Sequence, residues 1–275
     1  MGGEDSPIPL DALEDVGYLS RSANRVVILD ALTDGAASRR ELAEVTGVPR
    51  TTLDRIVNEL DDRGWAERTT DGDYVATPAG THLMQQFSPF LDAVEALQRL
   101  GEAVEWLPDE ELDIGLEHFR DASVRRPEMG DPVDGVEYMT RLVRDASEFR
   151  TLTHLVPPTS LLRALSEGVV SSRLSLEAVS SQTDTNFPSE QPDRRQLWRD
   201  MLEADADLYL CEGPVPCNLW IIDETVLIKK SRPGSIDESY GAPIVSTDGT
   251  VRSWAHDLID RYRSDATRID ESVLA

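Results

Sequence analysis

The stretch Ser38–Arg63, SRRELAEVTGVPRTTLDRIVNELDDR, decides the fold of the first third of the chain. Ser38 can cap a helix whose inward positions are Leu42, Ala43 and, less deeply, Val45. Gly47 stands where a left-handed residue must end that helix, and Val48 fills the elbow. A second helix opens at Pro49, whose missing N–H has no partner in a first turn anyway. Its apolar residues Leu53, Ile56, Val57 and Leu60 fall at i, i+3, i+4 and i+7 and form one buried stripe. The opposite face carries Thr51, Arg55 and Asn58, with Arg50 and Thr52 at the leading end. Such side chains suit base edges and phosphates. An ordinary helical hairpin is the alternative, and the flanking sequence weighs against it.

Upstream, Arg21–Leu32 offers Val26, Val27, Leu29, Ala31 and Leu32 as a wide apolar face, suited to the first helix of a three-helix cluster. Downstream, WAERTTDGDYVAT places the turn pair Asp71-Gly72 between two short strands, which makes a wing. Thr77-Pro78 caps and starts a helix expected to reach about Glu105. In it Leu83, Phe87, Leu91, Val94, Leu97 and Leu100 recur at three- and four-residue intervals. The order of elements describes a winged helix.

Charge sets a second constraint. Fifty-two acidic residues against 27 basic give a net charge of −25, and the only lysines are Lys229 and Lys230. A chain this acidic should repel DNA, since phosphate contacts supply most non-specific affinity. The charge is uneven, however. Residues 20–82 hold 8 basic and 11 acidic residues, net −3, which leaves −22 for the rest. An acidic, lysine-poor surface also fits a cytoplasm near molar salt, where the Debye length shrinks to roughly 3 Å and overall repulsion is screened. A basic protein partner is the alternative, but such charge usually comes in blocks, and here it is spread. The reading is salt adaptation, as in a halophilic archaeon. No signal peptide or run of 18 apolar residues is visible, so the expected location is the cytoplasm, with no membrane partner. Cys211 and Cys217 in CEGPVPC read as packing residues rather than a redox pair.

The pattern changes near Trp106. The acids after Pro108 suit the start of a short helix. Asp131–Glu148 then reads as a helix, Thr151–Val156 as a strand, Thr159–Glu167 as a helix and Arg173–Val179 as a strand. Ser180–Pro192 is a polar loop. It is followed by a helix at Asp193–Glu203, a strand at Asp207–Cys211, a hairpin Asn218–Ile222/Thr225–Lys229, a strand at Pro243–Ser246 and a helix at Asp248–Ser264. The fold class is therefore mixed α+β: an N-terminal winged helix, a long linker helix, and a C-terminal mixed α/β domain. The expected boundaries are a disordered terminus over 1–12, the winged helix over 13–80, a linker and dimerisation helix over 81–106, an effector or regulatory domain over 107–265 and a frayed tail over 266–275.

Catalysis has no positive support. His82, His118, His154 and His256 match no metal-ligand spacing, and there is no glycine-rich phosphate loop or Gly-x-Ser-x-Gly elbow. No histidine is followed two residues later by lysine. Neither an enzyme nor a cofactor is expected.

On YLSRSANRVVILDAL, the helix-turn-helix, RGWAERTTDGDYVATPAG, LQRLGEAVEWLP and VRSWAHDLIDRYR, the chain resembles the archaeal winged-helix regulators with a C-terminal domain of the methanogenesis-regulator type, numerous in haloarchaea. The resemblance spans roughly residues 12–265. It implies a transcriptional regulator whose C-terminal domain is similar to a phospholipase-D-like fold lacking that fold's catalytic histidine-lysine motif.

The expected function is sequence-specific binding of double-stranded DNA by a homodimer, with a small-molecule effector or partner at the C-terminal domain. A protein–protein assembly module of the transcription machinery is the alternative. Arg50, Thr51, Thr52, Arg55 and Asn58 would contact bases or phosphates in the major groove, Arg68, Thr69 and Thr70 on the wing the neighbouring backbone or minor groove, and Arg39 and Arg40 phosphates. Lys229, Lys230 and Arg232 are the candidate anion-binding cluster, and discouragement of sheet aggregation is their competing role.

Overall fold

A capping box and one left-handed residue set the helix-turn-helix in the computed structural model, which describes residues 9–125, 132–181, 191–230 and 243–270. Four helices lead: α1 at Leu10–Ser20, α2 at Ala23–Thr33, α3 at Arg39–Thr46 and α4 at Arg50–Asp62. At the start of α3 the Glu41 N–H donates to Ser38 Oγ at 3.3 Å, and the Ser38 N–H donates to the Glu41 carboxylate at 2.9 Å. Gly47, at φ 68°, ends α3 in a conformation that a side chain would strain. Pro49 stands just before α4 rather than inside it, and its carbonyl accepts from the N–H groups of Thr52 and Leu53.

The wing pairs β1 (Ala66–Arg68) with β2 (Tyr74–Ala76) antiparallel, and Ala37 adds a single bridge to Tyr74. Helix α5 (Pro78–Leu100) follows. Thr77 ties the wing to it: its N–H donates to the Trp65 carbonyl at 3.0 Å, its hydroxyl donates to the Gly64 carbonyl at 2.6 Å and accepts from the Gly80 N–H at 3.1 Å. The core of this unit joins Leu19, Ile28, Leu29 and Leu32 to Leu42, the α4 stripe Leu53/Ile56/Val57/Leu60, Trp65 and Phe87. The face of α2 is rotated from the sequence expectation, with Ile28 fully buried and Val27 44% exposed. Helix α1 was not anticipated, and its start at Leu10 shortens the expected disordered terminus; residues 1–8 of that stretch lie outside the described residues.

The chain divides into two compact units, Met1–Phe90 and Leu91–Ala275. The boundary falls inside α5, beside Pro89, which has no N–H to give the helix. Past it, Ala96 and Leu100 belong to the second unit's core. The helix therefore ends at Leu100, short of Glu105, and Gly101–Trp106 continues as a 3-10 helix. The acids after Pro108 make only one turn, closed by the N–H groups of Glu111 and Leu112 on the Pro108 carbonyl, and not the expected short helix.

In the second unit, α6 (Pro132–Asp145), α7 (Thr159–Val170), α8 (Pro192–Glu203) and α9 (Gly249–Ser264) surround a sheet. Its strands are β3 (Ser123–Val124), β4 (Glu148–Thr153), β5 (Ser175–Ser181), β6 (Asp207–Cys211), β7 (Cys217–Ile222), β8 (Thr225–Lys230), β9 (Ile244–Ser246) and β10 (Thr267–Arg268). Their order is β10-β6-β5-β4-β7-β8-β9-β3. β4, β5 and β6 are mutually parallel, and every other pairing is antiparallel. Alternation along β7 builds two cores. Cys217, Leu219 and Ile221 face α9, while Trp220 and Ile222 face α6, α7 and α8. The expected frayed tail is corrected: Thr267 and Arg268 pair with β6 and Ile269 is buried, because one more strand satisfies an open sheet edge. Residues 271–275 lie outside the described residues. Among the described residues, no helix is long and apolar enough to cross a membrane.

Candidate nucleic-acid interface

The α4 stripe Leu53/Ile56/Val57/Leu60 is fully buried, which forces Thr51, Arg55 and Asn58 onto the outer face, and all three are exposed. Arg50 is exposed at the start of the helix, and Thr52 is half-buried. Two acids, Asp54 and Glu59, flank this face on opposite sides, and each is matched by arginine. Arg39 Nε lies 2.7 Å from Asp54 Oδ1, a close ion pair whose N–H is not aligned for a hydrogen bond. Arg39 also donates to the Tyr74 hydroxyl at 2.6 Å and stacks on that ring at 4.9 Å. Arg55 pairs with Glu59 one turn on, and Glu59 accepts from the Tyr18 hydroxyl at 2.9 Å with Arg25 at 3.6 Å. Burial opposes the Glu59 charge, but Tyr18, Arg55 and Arg25 together hold its carboxyl below the usual range. Burial first, and then that same carboxylate, push the Tyr18 phenol up to about 12.

The candidate contacts are thus not equivalent. Arg39 is a brace joining α3, α4 and the wing, and not the free phosphate ligand expected of it, because Asp54 and Tyr74 already occupy its guanidinium. Arg40 is 82% exposed, with Glu44 no closer than 3.9 Å. On the wing, Arg68 is exposed and donates to the Gly72 carbonyl at 3.1 Å, and Thr70 is exposed. The Thr69 hydroxyl is buried without a hydrogen-bond partner, so it is withdrawn from the surface. Arg63 spans a second aromatic group, 4.1 Å from the Tyr18 ring and 5.4 Å from that of Trp65. Sequence reasoning assigned nothing to that cluster, whose members come from α1, α2 and the α4–β1 junction.

In the second unit the basic cluster is split. Alternation along β8 sends Lys229 and Lys230 to opposite faces of the sheet, and Lys230 lies 3.5 Å from Glu105. β8 lies between β7 and β9, so neither lysine sits on an edge strand as supposed. Arg232 lies outside the described residues, as do most of the loops at Ser180–Gln191 and Ser231–Gly241. The α9 face carries a network that sequence reasoning missed. Arg150 of β4 pairs with Glu177 of β5, reaches Asp260 at 2.7 Å and donates to His256 Nδ1 at 2.6 Å, while Arg263 donates to Glu177 at 2.7 Å. Burial and the Arg150 charge lower the His256 pKa, so its ring is neutral and accepts. Cys211 and Cys217 are buried thiols; burial raises both, Cys217 up to about 12, which fits packing rather than redox chemistry. Among the described residues, no group of three or more His, Cys, Asp or Glu is placed to hold a metal.

No curated protein matches the chain. Among solved structures it is similar to TrmBL2, an archaeal chromatin protein described with a novel mode of DNA binding, at 15% identity over 86% of this chain and 89% of that one, TM-score 0.42. The IdeR of T. acidophilum is similar at 13% identity over 82% and 98%, TM-score 0.25. RosA, a dimethyltransferase from Streptomyces davawensis, is similar at 15% identity over 74% and 65%, TM-score 0.26. Similarities at this level do not establish a shared fold over the whole chain, and still less a shared activity. The family matches are more specific: residues 13–99 match the HVO_A0261 N-terminal domain, and residues 132–265 match the middle domain of the methanogenesis regulatory protein FilR1. Two stretches of the chain are thus similar to two different domain models, each over less than half of its length, and the second model takes its description from a methanogenesis regulatory protein.

Proposed function

We propose that the protein is a transcriptional regulator that binds specific duplex DNA through α4 and the wing, with the second unit as a sensor or partner-binding domain and no enzymatic role. The observation that carries this is the outer face of α4. It presents Arg50, Thr51, Arg55 and Asn58, with Asp54 and Glu59 at its sides each beside an arginine of the domain and with Asp61 and Asp62 exposed at its C-terminal end. The arginines beside Asp54 and Glu59 ease the approach of an acidic protein to a phosphate backbone along the first turns of α4, while the exposed Asp61 and Asp62 limit contact at its C-terminal end. Arg55 and Asn58 suit guanine and adenine edges, Arg50, Arg40 and Arg68 suit phosphates, and Thr51, Thr52 and Thr70 supply hydroxyls to either.

Two copies would bind as a two-fold dimer over half-sites about one helical turn apart. Leu91 and Leu97 of α5 remain exposed and would supply apolar contacts for that pairing. The C-terminal likeness to a phospholipase-D-like fold, the salt-adapted surface and a cytoplasmic location belong to the same reading. The test is selection of bound fragments from a random duplex pool in molar potassium chloride, followed by anisotropy titration of the enriched sequence. Enrichment of one palindromic sequence is expected, and a pool that stays random would refute the reading. Light scattering that gives a monomer at micromolar concentration would remove the dimer.

A further inference from the structure

Arg55 differs from the other candidate arginines in what holds it. Its Nη1 donates to Glu59 Oε1, one turn on. The other carboxylate oxygen, Oε2, accepts from the Tyr18 hydroxyl at 2.9 Å and lies 3.6 Å from Arg25 Nη2. Arg25 is fixed in turn: its Nη1 donates to the Tyr18 carbonyl at 2.7 Å, and its guanidinium stacks on the Tyr18 ring at 3.9 Å. Glu59 is therefore divided between two tasks, with one oxygen anchored to α1 and α2 and the other presented to Arg55. An ordinary exposed pair at i, i+4 has no such anchor and contributes little. Arg40 and Glu44 are a pair of that kind, no closer than 3.9 Å and both well exposed. Arg68 has the Gly72 carbonyl in place of a carboxylate.

An anchored carboxylate changes what an arginine can recognise. A phosphate is drawn by charge. Arg55 with Glu59 is a net-neutral pair, so it draws a phosphate far less than a lone arginine does. A guanine edge is neutral and is read by two N–H groups in a fixed fork. The bond to Glu59 uses one of the five guanidinium N–H groups. Among the described residues no hydrogen bond engages the Nε–Nη2 edge of Arg55. The fork is thus left whole, and it is ordered before DNA arrives, which removes part of the side-chain entropy that a free arginine would lose on binding.

We infer that Glu59 is a positioning residue that assigns Arg55 to a base edge rather than to a phosphate, and that Tyr18 and Arg25 hold it to that task. The inference rests on the proposed binding of duplex DNA through α4. Glu59 would then set the ratio of specific to non-specific affinity more than affinity itself.

The full chain is titrated by anisotropy in molar potassium chloride with three kinds of duplex: the sequence enriched by selection, the same sequence with each G·C pair of one half-site replaced in turn, and a random sequence. Glu59→Gln should bind the random duplex about threefold tighter and the enriched one no tighter, so that their ratio falls at least about fivefold. The lost discrimination should be confined to the one base pair at which Arg55→Ala also loses it. Tyr18→Phe, which keeps the ring and every charge, should lose at least about twofold at that same base pair, and it serves if Glu59→Gln does not fold. Asp62→Asn removes the same charge from the same end of α4 and should tighten both duplexes alike, with the ratio kept. A ratio that stays at the parent value in Glu59→Gln, or a loss spread over all base pairs, would overturn the inference. So would a Glu59→Gln protein that binds the enriched duplex tighter than the parent does, since Glu59 would then compete with the base for Arg55. A parent that enriches no sequence overturns the DNA-binding reading and this one with it; a parent that enriches one, with the ratio unchanged in the variant, overturns this one alone.

Discussion

Replacing Gly80 by alanine is expected to destabilise the first unit by about 1–5 kcal/mol, against the usual direction for that change in a helix. On helix propensity alone the substitution should gain about 1 kcal/mol. A methyl group on Gly80, however, would overlap the Trp65 carbonyl oxygen and lie 2.9 Å from the carbonyl carbon. The obstacle is backbone, so no rotamer change relieves it. The first turn of α5 must move off the wing junction, at an overpacking cost of about 1–3 kcal/mol. That movement also strains the two Thr77 bonds to Trp65 and Gly64, each contributing about 0.5–1.5 kcal/mol. Together these exceed the propensity gain by the amount stated. The assay is thermal and denaturant unfolding in molar potassium chloride, read on the transition of the first unit, with Gly249→Ala beside it. Gly249 opens α9 with nothing within 4 Å of its added methyl, so alanine there should be neutral or mildly stabilising. A Gly80→Ala protein as stable as the parent would refute the close approach and the wing-to-helix junction built on it.

Arg55→Ala should weaken operator binding by about 1–3 kcal/mol, measured by anisotropy, if the arginine reads a guanine edge; unchanged affinity in a folded variant removes it from the interface. Arg40→Ala should instead weaken binding to all sequences alike and lower the salt slope by about one. Asp223 closes the β7–β8 turn. Burial opposes its charge, but donors from the Ser147 hydroxyl and the backbone N–H groups of Ser147 and Glu148 outweigh it and depress its pKa. A carboxyl depressed by folding adds stability above its unfolded pKa and loses it as pH falls through the folded value. Asp223→Asn should therefore cost about 1 kcal/mol near pH 7 and less with each step below about pH 4, in denaturant titrations across pH. Ellman's reagent should leave Cys211 and Cys217 unmodified in the native protein at pH 8 and titrate both after unfolding; rapid native modification would contradict their burial.

The winged helix was legible because each of its signals is local: a capping pair three residues apart, one glycine, one four-residue stripe, one Asp-Gly turn. The order of strands and helices in the second unit was legible for the same reason. Arg39 was misread because its partners are on other elements, Asp54 on the next helix and Tyr74 on the wing, and no spacing in sequence brings them to it. Helix α1 was missed because Leu10, Leu13 and Val16 are exposed and only Tyr18 and Leu19 are buried, so its apolar residues do not report its packing. β3 and β10, two residues each, are too short for any period to register.

Among the described residues the eight-stranded sheet ends on β10 at one side and β3 at the other, with two residues each. An unpaired strand is a template for another chain, and soluble proteins commonly guard it with charge. In concentrated electrolyte that guard acts over little more than an atomic diameter. Brevity is a guard that salt cannot weaken, since two residues offer too few free amides and carbonyls for a foreign strand to align on. If the protein works in brine, this sheet is kept from templating its neighbours by geometry, and lengthening either border strand by a few β-branched residues would be a more dangerous change than removing several surface acids.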